Sequence, residues 1–137
     1  THLDNNGDNA HEIAEKIRQG EVDIMMKIIK SLTDSYGNLP VVVTGDFNVI
    51  PNNRTAYTAM TQTYGYSDCS NAAMAGDKGA MTYNGGNDDT STWSIIDYVF
   101  VSSNLKDSVE YYTVCPAKRD GKWVSDHNAI IATIAIT

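Results

Sequence analysis

The segment that decides the fold is LPVVVTGDFN, Leu39 to Asn48. Three successive valines, all β-branched, are typical of a strand that is covered on both faces. The strand runs into Gly45-Asp46-Phe47-Asn48, whose glycine, aspartate and asparagine favour a turn. Because side chains two residues apart in extended backbone point the same way, Asp46 and Asn48 can share a metal ion or a phosphate oxygen. The alternative is an ordinary turn without a function.

The segment before that strand, Asn9 to Leu32, has the pattern of an amphipathic helix. Glu12 follows Asn9 by three residues, as in a capping box at a helix start. Apolar residues then recur at helical spacing, with charged residues between them. We expect this apolar side to pack against one face of a sheet; it comprises Ile13, Ile17, Ile24, Ile28 and Leu32.

The rest of the chain predicts a second helix and several strands. The second helix is expected from Arg54 to about Tyr64, and Tyr66 to Gly86 is irregular and rich in glycine. Strands are predicted at Val41–Thr44, Ile95–Val101, Val109–Val114 and Ala129–Ile136, with Asp120-Gly121 as a turn. This order indicates a sandwich layer of the α/β or α+β class.

Composition limits the class of function. The 137 residues carry 10 Lys and Arg against 17 Asp and Glu, a net charge of −7, which argues against a nucleic-acid binder with a broad basic face. A phosphate-handling enzyme stays open, because carboxylates can hold a divalent cation that meets the phosphate.

Two cysteines, Cys69 and Cys115, are too few for a disulfide scaffold. One disulfide and two free thiols both remain open.

Asp97 interrupts an otherwise apolar strand, Ile95 to Val101. It shares one strand face with Val99 and Val101, which favours burial, and a buried carboxylate needs a partner such as a histidine N–H. An exposed edge position is the alternative.

Ser125-Asp126-His127 precedes the last apolar strand. Adjacent side chains diverge in extended backbone, so Asp126 and His127 are expected to have separate roles, one toward a metal and one toward a proton. A solvated loop is the alternative for this tripeptide taken alone.

Four motifs, in this order along the chain, resemble the endonuclease/exonuclease/phosphatase superfamily. They are Thr1-His2-Leu3, Gly45-Asp46-Phe47-Asn48, Ile96-Asp97-Tyr98-Val99-Phe100-Val101 and Ser125-Asp126-His127-Asn128. That group includes DNase I-like nucleases, abasic-site endonucleases, sphingomyelinases and inositol polyphosphate 5-phosphatases. The resemblance spans the whole chain but only the C-terminal half of the family domain. It implies half of a DNase I-like four-layer sandwich over residues 1–137, with one mixed sheet and helices on one of its faces. Thr1 is interpreted as a cut end.

The resemblance implies a phosphoester hydrolase, with a phosphodiester favoured as substrate. By analogy, Asp46 orients or deprotonates the attacking water, and Asn48 holds a phosphate oxygen or the nucleophile. His127, oriented by Asp97, contacts the phosphate and transfers protons. His2 hydrogen-bonds a non-bridging or leaving oxygen. Whether Asp46 or His127 is the general base stays open.

The resemblance also implies Mg²⁺ or Mn²⁺, with Asp46, Asn48 and Asp126 as ligands. A further ligand, a glutamate, is expected in the N-terminal half, so the chain alone is expected to be inactive. It is also expected to self-associate or to pair with that half. The substrate classes left open are nucleic acid, phospholipid head group and sugar phosphate. The alternative function is a non-catalytic binding or assembly module derived from this fold.

Overall fold

The computed structural model of the chain describes residues 11–51 and 55–136. Within these residues, two longer helical segments and seven strands make up the frame, with short helical turns between them. The helices are α1 (His11–Tyr36), α2 (Thr55–Thr58, continued by a π-helical turn at Ala59–Thr63) and α3 (Cys69–Ala72). The strands are β1 (Val42–Asp46), β2 (Ser67–Asp68), β3 (Asp97–Val101), β4 (Val109–Cys115), β5 (Lys118–Arg119), β6 (Lys122–Trp123) and β7 (Ala129–Ile134).

The strands confirm the α+β class but not the single mixed sheet. In the described residues they form three separate antiparallel arrangements, with orders β1-β3-β2, β4-β7 and β5-β6. β1 and β2 occupy the two hydrogen-bonding edges of β3, so β4 and β7 cannot extend the sheet from that strand. They pair with each other instead. Asp120 and Gly121 both have positive φ and form the predicted turn, here between β5 and β6.

Strand β3 contributes side chains to two hydrophobic clusters. Tyr98 and Phe100 belong to the first cluster, with residues of α1, β1 and α2. Val99 and Val101 belong to the second cluster, with residues of α3 and β4. Helices therefore lie on both sides of β3 and not on one, because alternate side chains of a strand point to opposite faces. β3 is covered on both faces, and Asp97 is its first residue.

The prediction that the isoleucine side of α1 packs inward is wrong. Ile24 is 61% exposed, and its neighbours along that side are also exposed. The buried side of the helix is formed by Ala14, Val22 and Met26. Together with Arg18 these residues recur every four positions, so they form a separate stripe along the helix, and that stripe is the one that packs inward. The exposed residues of the predicted face are Ile13, Ile17, Ile24, Ile28 and Leu32.

Arg18 explains why the buried side of α1 is hard to recognise. It is 5% exposed and lies on the side that packs inward. Its Nη2 is 2.7 Å from Glu15 Oε1, and Glu15 Oε2 accepts hydrogen bonds from the backbone N–H and hydroxyl of Thr55. A charged side chain can be buried when it is paired in this way.

The helices of residues 11–51 and 55–136 include none with the length and hydrophobicity of a membrane span.

Both cysteines are free thiols, which answers the question that the sequence left open. Cys69 is buried in the second cluster, and Cys115 is half-buried at the end of β4. Burial, aided by the nearby Asp68 charge, raises the pKa of Cys69 to about 12. A thiol with so high a pKa is a poor nucleophile, so Cys69 has a structural role.

Candidate active site

Two carboxylates meet where β1 ends and β3 begins. Asp46 and Asp97 are direct partners in the antiparallel β1–β3 register, so their side chains lie on the same face of the sheet. Their side chains are 15% and 17% exposed. The backbone N–H of Phe47 donates to Ile96 O at 2.8 Å and extends the ladder beyond them. Like charges directly opposite each other are unfavourable unless a third group compensates them.

His127 is that third group. Its Nδ1 lies 2.9 Å from Asp97 Oδ2 and 3.1 Å from Asp97 Oδ1, which confirms the predicted contact between the two side chains. Because an ionised carboxylate only accepts hydrogen bonds, Nδ1 carries the proton. Nε2 therefore faces the other way and lies 3.9 Å from Asp46 Oδ2. That separation is too long for a direct hydrogen bond.

The surroundings of His127 favour its protonated form. Partial burial lowers the pKa of the ring, but the hydrogen bond and charge of Asp97 act in the opposite direction. The charges of Asp46 and Asp126 reinforce Asp97, and the net result is a pKa raised above the usual histidine value. The imidazolium can donate a hydrogen bond from Nε2 to an anion.

These side chains open into a pocket of about 440 Å³. Of the predicted site residues, Asp46, Asn48, Asp126 and His127 line it. Asp97 is not part of the lining and contacts it through the His127 ring. His2 lies outside the described residues. Sequence reasoning missed Tyr83, Ser94 and Ile96. The lining residues are Asp46, Asn48, Tyr83, Ser94, Ile96, Asp126 and His127.

Asn48 has a turn conformation and also lines the pocket. Its φ is +50°, in the left-handed region that asparagine tolerates better than most residues. Its backbone N–H donates to Asp46 Oδ1 at 2.8 Å, the pattern of an Asx turn. The sequence left a ligand site and an ordinary turn open for this segment, and the two are compatible. The turn holds the side chains of Asp46 and Asn48 at the pocket.

A buried polar network supports the first residues of β3. The Thr82 hydroxyl oxygen accepts hydrogen bonds from the backbone N–H groups of Ile96 and Asp97, each at 3.0 Å. The Asn84 side-chain amide donates to Asn128 Oδ1 at 2.8 Å. Thr82 and Asn84 are both fully buried. The sequence predicted an irregular loop here and missed this network.

Tyr83 lies between these two buried residues and points to the opposite side. Its ring centroid is 5.1 Å from that of His127, in an edge-on arrangement. Its backbone bridges Ser94 on one side and His127 on the other. The signal in the sequence was the alternation of small polar and aromatic residues at Thr82, Tyr83 and Asn84, which has the period of a strand.

The donor atoms at the pocket suit a hard cation. Asp46, Asn48 and Asp126 offer carboxylate and amide oxygens, the ligands that Mg²⁺ and Mn²⁺ prefer. Within residues 11–51 and 55–136, one set of three acidic, cysteine or histidine side chains has ligand atoms within 4.8 Å of one another. It comprises Asp46, Asp97 and His127. Asp97 is already the hydrogen-bond partner of Nδ1, so the assignment of Asp46, Asn48 and Asp126 as ligands stays a prediction.

Comparison with known proteins adds a family and a fold. The model of the Endonuclease/Exonuclease/phosphatase family matches residues 31–127. A mannosyl-6-phosphatase of Bacteroides thetaiotaomicron is similar in structure, with a TM-score of 0.76 and 23% identity over 98% of this chain and 49% of that chain. No curated protein matches at a significant level.

Two further solved structures carry the same family description. The protein from Bacteroides vulgatus has a TM-score of 0.74 and 26% identity, over 99% of this chain and 48% of that one. The protein from Leptotrichia buccalis has a TM-score of 0.57 and 25% identity, over 80% of this chain and 41% of that one. The chain thus spans about half the length of the structures that it matches.

Proposed function

Because this chain belongs to the endonuclease/exonuclease/phosphatase family, we propose that it supplies the hydrolytic centre of a metal-dependent phosphoester hydrolase. In this proposal, residues 1–137 are the C-terminal half of the catalytic domain. The observation that carries the proposal is the position of the His127 ring between two carboxylates, 2.9 Å from Asp97 and 3.9 Å from Asp46. A ring held in this way presents Nε2 to a pocket that can receive a phosphate group.

In the proposed mechanism, Asp97 orients His127 and favours its protonated form. The Nε2–H then donates a hydrogen bond to an oxygen of the bound phosphate. Asp46 accepts a proton from the attacking water, whose oxygen forms the new bond to phosphorus while the bond to the leaving oxygen breaks. We assign the base to Asp46 because a histidine with a raised pKa is the better donor. Asn48 holds a phosphate oxygen with its side-chain amide.

We assign the metal to the oxygen donors Asp46, Asn48 and Asp126. A divalent cation held there would offset the negative charge that develops on the phosphate. Water or a ligand from the N-terminal half would supply its remaining ligands.

The proposal that this chain is half of a domain also predicts its binding partners, namely the other half and the substrate. The relatives are about twice as long as this chain, and we propose that the missing half packs against it and completes the site. Without that half, the chain is expected to self-associate. The proposed substrate is a phosphoester. The structural neighbour named as a mannosyl-6-phosphatase supports sugar phosphates as one candidate class of substrate.

A turnover assay on the natural protein that contains this chain tests the proposal. The substrates are bis(p-nitrophenyl) phosphate and p-nitrophenyl phosphate, with Mg²⁺ or with EDTA. We expect Asp46→Asn and His127→Gln to lower kcat by about 10²- to 10⁴-fold, the usual contribution of an acid or base. The matched control is Asp107→Asn, an exposed carboxylate in the 3₁₀ turn Ser103–Ser108.

A second readout does not depend on turnover. Mn²⁺ binding, followed by electron paramagnetic resonance, should weaken in Asp46→Asn and stay unchanged in Asp107→Asn. Turnover that survives EDTA would refute the metal dependence, and turnover that survives both site variants would refute the assignment of the hydrolytic centre to Asp46 and His127. Absence of turnover by the natural protein on both substrates, together with unaltered Mn²⁺ binding in Asp46→Asn, would favour the non-catalytic module.

A further inference from the structure

The two tryptophans of the chain pack against each other, and each is close in sequence to a residue that lines the pocket. The ring centroids of Trp93 and Trp123 are 5.4 Å apart, and the ring planes are nearly perpendicular, at 85°. Trp93 directly precedes Ser94, and Trp123 comes three residues before Asp126; both of these neighbours line the pocket. Both rings are half-buried, although neither residue belongs to the two hydrophobic clusters.

Polar contacts hold the Trp123 ring in place. Asp88 Oδ1 accepts from Trp123 Nε1 at 2.7 Å and from Lys118 Nζ at 2.5 Å. Lys118 Nζ also lies 4.6 Å from the centre of the Trp123 ring, in a cation–π contact. Trp93 Nε1 donates to the backbone carbonyl of Asn87 at 3.2 Å. We call the set Asp88, Trp93, Lys118 and Trp123 the tryptophan rim.

The backbone joins the rim to the catalytic side chains. Ser94 pairs with Tyr83, and Tyr83 pairs with His127, so three short segments lie side by side. The backbone N–H groups of Asn84 and Gly85 both donate to Asp126 O. The loop that carries Asp88 and Trp93 and the hairpin that carries Lys118 and Trp123 therefore extend from the same small sheet that presents His127.

We propose that the tryptophan rim binds the sugar ring of a sugar phosphate whose phosphate occupies the neighbouring pocket. The inference rests on the proposed function and narrows its substrate class. Ligand sites combine apolar and aromatic surface with a few placed polar groups, and the rim has both. Indole rings pack against the C–H groups of a pyranose. Asp88, with a side chain 71% exposed, can accept hydrogen bonds from hydroxyl groups, and Lys118 can donate them.

The same observations disfavour a nucleic acid at this position. Asp88 and Asp89 place acidic groups at the rim, and the chain carries a net charge of −7. A polyanionic strand is attracted by the opposite charge.

Tryptophan fluorescence tests the inference, because both tryptophans of this chain belong to the rim. The natural protein that contains this chain is titrated, in the presence of Mg²⁺, with glucose 6-phosphate, mannose 6-phosphate, inorganic phosphate and AMP. Calorimetry gives the affinities, and an emission change that is lost in Trp123→Leu is assigned to the rim. We expect at least one hexose phosphate to change the emission and to bind about tenfold more tightly than inorganic phosphate. Trp123→Leu should remove that advantage and leave the affinity for inorganic phosphate unchanged.

Tyr36→Leu is the matched control, since Tyr36 is an exposed aromatic residue at the end of α1. Equal affinities for hexose phosphates and inorganic phosphate, without an emission change, would overturn the sugar subsite and leave the proposed function intact. Tighter binding of AMP than of both sugars would overturn it in favour of a base platform. Failure of every phosphate to bind would overturn the proposed function as well.

Discussion

Asp46 lies directly across the β1–β3 ladder from Asp97. The His127 ring contacts the Asp97 carboxylate through Nδ1 and turns Nε2 toward the Asp46 carboxylate. A sheet register thus sets the distance between two acids, and a residue from a distant loop fills the space between them. The arrangement makes the charge of His127 depend on both strands. It also separates the two ring nitrogens by role, with Nδ1 toward β3 and Nε2 toward the pocket.

Asp97→Asn should lower the pKa of His127. The substitution removes the charge, and with it the main interactions that raise this pKa against the effect of burial. Proton NMR titration of the His127 ring measures the change, with His127→Gln identifying the signal. Asp107→Asn should leave the titration unaltered. A His127 pKa that is the same in Asp97→Asn and in the unsubstituted chain would contradict the role assigned to Asp97.

The same contact should make stability depend on pH. The pKa of His127 is raised in the folded state relative to about 6.5 in the unfolded chain, so its contribution is complete below that value. The contribution is lost as the pH rises through the folded pKa. The difference in free energy of unfolding between the unsubstituted chain and Asp97→Asn should therefore be larger at about pH 5.5 than at about pH 8.5. Urea titrations measure it, and a difference that grows with pH would refute this assignment.

The sequence predicted the geometry at the strand ends better than the packing of the helix. Asp46, Asp97 and His127 stand out because a charged or titratable residue beside an apolar strand needs a special reason. In α1, isoleucine spacing indicated the wrong face, since Arg18 on the buried side is tolerated only through its ion pair with Glu15. Thr82 and Asn84 were equally hidden, because a polar residue is buried only when distant backbone groups satisfy it.

Substitutions on the two sides of α1 should have very different effects. Val22 is fully buried, and Val22→Ala should lower the free energy of unfolding by about 2 kcal/mol through lost burial and a cavity. Ile24 is 61% exposed, and Ile24→Ser should change the free energy by no more than about 0.5 kcal/mol. Urea denaturation at low protein concentration compares the two variants. A larger loss for Ile24→Ser would restore the isoleucine side as the packed face.

Gly76 should not tolerate a side chain. Its φ is +116°, and a Cβ placed there would lie 1.7 Å from the backbone carbonyl oxygen of Tyr112. Gly76→Ala should therefore destabilise the fold by about 3 kcal/mol or more, since strain and a backbone clash combine. Gly79→Ala is the control, because no atom lies within 4 Å of its added Cβ. Thermal unfolding compares the two, and equal midpoints would contradict the close approach of this loop to β4.

Strand β3 has a consequence for the motions of the molecule. Tyr98 and Phe100 stabilise one hydrophobic cluster and Val99 and Val101 the other, so neither cluster can open without disturbing the strand that both use. Its backbone amides should exchange with solvent deuterium only through global unfolding, more slowly than those of the surrounding loops. Asp97 begins this strand. The carboxylate that contacts His127 is therefore expected to lie on the segment whose backbone hydrogen bonds exchange most slowly, and deuterium exchange followed by mass spectrometry measures this.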